Sequence, residues 1–140
     1  MRRTALVAIA LLLIAVHAKA QPRAGDILGR WRGTSICAKI ESNRACHDEE
    51  VRYTFAASPG DPKRIRLKAE KKVGGEFGWM YDMDFTYDPD SGTWNSEFKT
   101  RRGQRGIWSY AIEGEVMKGT CTMLPEKTVV RNVLVRREPR

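Results

Sequence analysis

Apolar and polar residues alternate with a period of two from near residue 27 to near residue 136, and clusters of turn-forming residues break that alternation at short intervals. A two-residue period puts successive side chains on opposite faces of an extended strand, so such a chain folds into sheet with one buried and one wetted face. No stretch carries a convincing helical period. Val51, Tyr53 and Phe55 fall opposite Arg52 and Thr54, and Ile65, Leu67 and Ala69 fall opposite Arg64, Arg66, Lys68 and Glu70. A longer run places Phe77, Trp79, Tyr81, Met83, Phe85 and Tyr87 on one face, with Asp82, Asp84 and Thr86 on the other. Ser58-Pro59-Gly60-Asp61-Pro62, Gly74-Gly75, Asp88-Pro89-Asp90-Ser91-Gly92 and Glu113-Gly114 read as turns, since Gly, Pro, Asp and Ser each favour turn backbone for a distinct reason.

A first strand from about Ile27 to Ala38 and further strands at Thr93 to Lys99, around Trp108 to Ile112, Glu115 to Met123 and Thr128 to Arg136 complete a set of eight. Short connections make the set an antiparallel meander. An open sheet of this kind leaves two exposed edges, and pairing the first strand with the last removes both. The expected fold is therefore all-β: an eight-stranded antiparallel up-and-down barrel rather than a sandwich. Its interior is wide enough to be filled by side chains or to hold one small ligand.

Residues 1–20 read as an export signal, with Arg2 and Arg3 ahead of the apolar run Ala5 to Val16 and with Ala18-Lys19-Ala20 at the cleavage site. The apolar run is shorter than the roughly 20 residues of a spanning helix. The expected organisation is thus a signal at 1–20, a short arm at 21–26 and one barrel domain at 27–138, secreted or periplasmic, with no membrane span. Loss of Arg2, Arg3 and Lys19 lowers the formal charge from +8 to +5, so the exported chain is mildly basic.

Three cysteines, Cys37, Cys46 and Cys121, then meet an oxidising compartment. Cys37 and Cys46 flank the polar turn Glu41-Ser42-Asn43-Arg44 and are expected to pair, closing a loop worth roughly 2–3 kcal/mol. Cys121 is left as a small buried apolar side chain. Directly opposed Cys37 and Cys46 would put Trp31 on the face of Arg52. Burying both Trp31 and Tyr53 therefore requires a bulge or irregular turn between Asn43 and Glu50.

Leu28-Gly29-Arg30-Trp31 is similar to the Gly-x-Trp motif of the calycin superfamily, the barrels of lipocalins, fatty-acid-binding proteins and avidins. The pattern also resembles a secreted bacterial metalloprotease inhibitor with a small disulfide-bonded barrel, and small secreted bacterial proteins of unassigned function. The resemblance implies that Trp31 packs at one closed end beneath an arginine of the last strand. Arg136 is the first choice for that arginine and Arg131 the second.

Chemistry-bearing residues are sparse. His47 is the only histidine beyond the signal, which excludes two-histidine metal sites. Asp88, Asp90 and Gly92 overlap the start of a calcium loop but suit a hairpin better, and Asp82 and Asp84 read as the wet face of their strand. Arg101, Arg102 and Arg105, and the cations of the third strand, read as solvated surface. Nucleic acid is not an expected partner, because the aromatics lie opposite the charges. No catalytic residue, metal or cofactor is expected.

Two functions are ranked ahead of an enzyme. The first is binding of a small apolar or amphipathic ligand in a pocket walled by Trp79, Tyr81, Phe85, Trp94, Trp108 and Tyr110. The second is a protein-binding envelope module, such as a protease inhibitor, with a packed barrel core. N-terminal sequencing of the exported protein is expected to begin at Gln21, and a start more than a few residues away contradicts the assigned signal.

Overall fold

The computed structural model describes residues 23–140; the expected export signal at 1–20 and the start of the expected arm at Gln21 and Pro22 lie outside the described residues. A single 3-10 turn, Ala24–Ile27, leads into eight strands: β1 (Gly29–Cys37), β2 (Glu49–Ser58), β3 (Asp61–Val73), β4 (Glu76–Asp88), β5 (Thr93–Lys99), β6 (Arg105–Glu113), β7 (Val116–Met123) and β8 (Thr128–Arg137). They pair in chain order, and β1 pairs with β8, so the meander closes into an antiparallel barrel. No helix among the described residues is long and apolar enough to cross a membrane.

The inner face follows the alternation. Trp31, Val51, Tyr53, Phe55, Leu67, Ala69, Phe85, Trp94, Tyr110, Met117, Val133 and Val135 are buried in one core. Trp31 stands opposite Tyr53, and the β1–β2 ladder ends at Ser35 opposite Glu49. That register lies one residue away from direct opposition of Cys37 and Cys46. The connection takes up the difference irregularly, with a 3-10 turn at Ile40–Ser42 and the disulfide Cys37–Cys46 across it, Cα atoms 6.1 Å apart. Both aromatic residues are inside, as the irregular connection requires.

Trp31 closes one end of the barrel. Its indole N–H donates to the Ile27 carbonyl at 2.8 Å, and a guanidinium lies 4.2 Å from its ring centroid. That guanidinium belongs to Arg137, which corrects the expectation of Arg136. The β1–β8 register sets Trp31 opposite Arg137 and Arg32 opposite Arg136. Val133 and Val135 point inward, so alternation carries Arg137 inward and turns Arg136 to water. Arg137 also donates to the carbonyls of Leu28, at 2.7 Å, and Asp26. Arg131, the second choice, shares the inward phase but lies at the opposite end, opposite Cys37.

Closure brings backbones together at Gly33. A Cβ there would lie 2.1 Å from the Leu134 carbonyl oxygen and 2.8 Å from the Val135 Cα. Neither main-chain atom can retreat without breaking the seam. Gly78, on exposed backbone, has nothing within 4 Å of such a Cβ. Gly33→Ala is expected to cost about 2 kcal/mol or more, and Gly78→Ala to stay within about 0.5 kcal/mol of the parent. Urea unfolding of the two variants checks both values.

Candidate functional site

The rings expected to wall a pocket mostly pack against one another. The Phe85 and Tyr110 centroids are 5.3 Å apart, and Trp108 stacks on Tyr110 at 6.0 Å. Phe55 lies 5.9 Å from each of Phe85 and Tyr110, and Tyr53 lies 5.9 Å from Tyr110. These are contact spacings for edge-to-face and stacked pairs. Trp94 sits in the same core with Tyr87 at 4.6 Å, and Tyr81 is half-buried against it. Tyr53 and Phe55, on β2, were legible from their alternation but were not counted among the wall residues.

Trp79 is not among these rings. Ala69 pairs with Tyr81 and Glu70 with Trp79, so Met80 is an extra residue in β4. One extra residue inverts the faces of everything before it. Phe77 and Trp79 consequently stand on the outer wall, and Trp79 is 65 % exposed with its indole N–H donating to Asp82 at 2.9 Å. Phe77 lies under two guanidinium groups, Arg52 at 4.5 Å and Arg32 at 5.1 Å from its centroid. Cation–π contacts of this kind compensate for a ring held outside the core.

Those arginines belong to a ladder of ion pairs across β1 to β4. Arg52 binds Glu70 through two bonds of 2.9 and 3.1 Å, and Arg66 binds Asp84 through two of 2.8 and 3.0 Å. The Arg52 guanidinium holds the Glu70 carboxyl below the ordinary range against the opposing effect of burial, and Arg66 does the same for Asp84. Lys72 and Arg32 share Glu50. Arg66, Lys71 and Lys72 of β3 are thus engaged with acids of neighbouring strands, and Arg64 and Lys68 with Asp61 and Glu70 of β3 itself.

Polar groups gather at the end of the barrel away from Trp31. Arg131 donates to Ser35 Oγ at 2.8 Å and to the His47 carbonyl at 2.9 Å, and it pairs with Glu49, which also pairs with Lys71 at 3.0 Å. Below them lie three phenols. Burial pushes the Tyr53 hydroxyl up to about 12, and it raises Tyr81 and Tyr110 further. Tyr110 Oη is wholly buried and makes no hydrogen bond of ordinary geometry, although the Tyr53 hydroxyl is close enough to interact with it. The Tyr110 ring packs against Gly119, where a Cβ would come within 2.3 Å of a ring carbon.

Comparison with protein-family models and with curated proteins finds no match to this chain. The functional reading rests on these residues alone.

The remaining motifs resolve as structure. Asp88 accepts from the Asp90 N–H and the Ser91 hydroxyl, and Gly92, at φ +68°, donates to the Asp88 carbonyl, so this segment is the β4–β5 turn. Asp82 accepts from Trp79, and Asp84 belongs to the ladder. Cys121 is buried and unpaired, and desolvation pushes its thiol up to about 11, where it is protonated at neutral pH. Among the described residues no group of three His, Cys, Asp or Glu side chains could hold a metal ion.

The phenols set an alkaline limit. Unfolded tyrosine ionises near pH 10, and the folded barrel holds Tyr53, Tyr81 and Tyr110 neutral beyond that. The contribution of Tyr53 to stability is whole below about pH 10 and is lost as pH rises through about 12, and those of Tyr81 and Tyr110 are likewise lost only above the ordinary tyrosine range. Phenolate absorbance from these three is expected to appear together with loss of the β-sheet circular dichroism. Ionisation of the three while the dichroism persists would contradict the packed interior.

Proposed function

We propose that this chain is an exported, non-enzymatic barrel of calycin-like form that binds a protein partner through its outer wall and uses its interior as packed core. The observation that carries the reading is Trp79. A tryptophan on a strand's outer face, 65 % exposed, two residues along the same face from Phe77, whose ring lies under Arg32 and Arg52, has the composition from which interface hot spots are built. The mutual contacts of Tyr53, Phe55, Phe85, Trp108 and Tyr110 support it, because they occupy the space a guest would need. Export is supported by the pattern of residues 1–20 and by the disulfide Cys37–Cys46, which suits an oxidising compartment. A protonated Cys121 and acids committed to ion pairs support a non-enzymatic role.

A second reading, a small amphipathic guest held in the barrel, is favoured by one observation. The buried Tyr110 hydroxyl makes no hydrogen bond of ordinary geometry, with only the Tyr53 hydroxyl near enough to interact with it, and a buried hydroxyl left unsatisfied costs about 1–3 kcal/mol. A polar headgroup reaching Tyr53, Tyr81 and Tyr110 would recover it.

The two readings separate in one experiment. A photo-crosslinking residue replaces Trp79, or Thr120 on a distant strand, in the chain expressed in its own host. Capture of one envelope protein from position 79 and not from 120 is the expected result. No capture at 79, together with a co-purifying small molecule in native mass spectrometry and a saturable tryptophan fluorescence response to fatty acids, sterols or quinones, would overturn the first reading for the second.

A further inference from the structure

Strand β4 runs from Glu76 to Asp88, yet only Thr86, Tyr87 and Asp88 pair with β5, opposite Asn95, Trp94 and Thr93. Every other seam of the barrel is joined over six to ten residue pairs. Apart from Met80, the stretch Glu76–Phe85 is zipped to β3 on one side, and among the described residues it has no strand partner on the other. The Asp88 carbonyl faces β5, since it accepts from Gly92 N–H at 2.8 Å. Alternation along an antiparallel strand then aims the N–H and C=O of Thr86, Asp84 and Asp82 the same way. Beyond Thr86 these groups meet an open edge.

Natural edges are guarded by lysine, proline or bulges. Between Glu76 and Phe85 the acids Glu76, Asp82 and Asp84 occur, with no lysine, arginine or proline. The bulge at Met80 ends the regular stretch, which leaves Tyr81–Phe85 as an unguarded run continuous with the zipped segment. Its inward side chains Tyr81 and Met83, with Phe98 of β5 on the other side of the seam, are half-buried apolar surface. Its outward side carries Asp82, which makes no ion pair among the described residues, and across the seam Glu97, already bound to Arg105.

We infer that the Tyr81–Phe85 edge of β4 accepts an extended segment of a partner protein as an added strand, with that segment's side chains alternately apolar and basic. Main-chain bonds to Asp82 and Asp84 give affinity, and the alternating seats give specificity. A second copy of this chain is a poor occupant. Antiparallel pairing of two β4 edges would bring Asp82, Asp84 and Glu76 of one copy beside the same acids of the other. The inference rests on the protein-binding reading and names where, and to what chemistry, that binding is directed.

The test uses the mature protein and a short capped peptide of alternating valine and lysine, followed by amide exchange in NMR. In the free protein the Asp82 and Asp84 amides are expected to exchange with solvent far faster than the amides of β3 residues in the β2–β3 and β3–β4 ladders. On saturable binding of the peptide their exchange is expected to slow at least tenfold. A valine–glutamate peptide of the same pattern should not bind, nor should the valine–lysine composition arranged in two blocks.

Asp82→Lys should weaken binding at least tenfold while leaving the melting temperature unchanged, and Asp82→Pro should do so by removing an edge N–H. Asp82→Lys carries the test if the proline variant fails to fold. Protected Asp82 and Asp84 amides in the free protein, a protein dimer formed through β4, or peptide binding that slows exchange elsewhere would each overturn the inference. If any of these is found while position 79 still crosslinks its protein, strand addition fails and the protein-binding reading stands. If position 79 also captures nothing, both fail.

Discussion

Seven residue pairs between β1 and β8, from Trp31 opposite Arg137 to Cys37 opposite Arg131, turn an open meander into a closed barrel. Much else follows from that register. It sends Val133 and Val135 into the core, sets Arg137 over the Trp31 ring at one end, and brings Arg131 to Ser35 and Glu49 at the other. It also demands glycine at position 33, where the Leu134 carbonyl leaves no room for a side chain. A slip of one residue would place Val133 and Val135 in water, at about 1.5–3 kcal/mol each, and would drive Arg136 inside. The closure is therefore specified by side-chain phase and by backbone proximity together.

Most of this architecture was legible because strand phase is a local property. The inward sets of β2, β3, β5, β6 and β7 follow directly from alternation, and the disulfide followed from a polar turn between Cys37 and Cys46. The misses have one physical source. Phase is lost wherever a residue is inserted, and an insertion inside a uniformly aromatic run leaves no trace in the pattern. Phe77, Trp79 and Tyr81 look alike to a two-residue period, although Met80 divides them. The resemblance points to Arg136, with Arg131 second, and not to Arg137, because the motif locates a strand end without locating its face. The inward pattern of Val133 and Val135 was the signal that could have decided it.

The two halves of the outer wall differ in chemistry. Across β1 to β4 it is a lattice of arginine, lysine, glutamate and aspartate in which Glu70 is only 8 % exposed. The guanidinium partners keep Glu70 and Asp84 ionised below the pH at which free carboxyls protonate. Their contribution is present above the unfolded carboxyl range and is lost as pH falls through the lowered values. Across β6 to β8 the outward residues include Ser109, Ala111, Thr120, Asn132 and Leu134, which line a shallow groove of about 450 Å³. The charged half holds the exposed ring and the open strand edge. Charged groups and an exposed apolar ring therefore lie on the same half of the wall.

The bulge at Met80 links these observations. Without it, Trp79 would continue the inward column above Tyr81, and the end of the barrel away from Trp31 would be capped by a large apolar ring. With it, that end is left to Glu49, Lys71 and Arg131, a set of paired charges unsuited to admitting an apolar guest. The same inserted residue puts Trp79 on the outer wall, lets Phe77 lie beneath Arg32 and Arg52, and interrupts the β4 edge so that its regular part begins at Tyr81. One residue thus takes apolar surface away from the interior mouth and places it next to unpaired backbone. The proposed binding through the wall of the barrel would draw on both halves of that exchange.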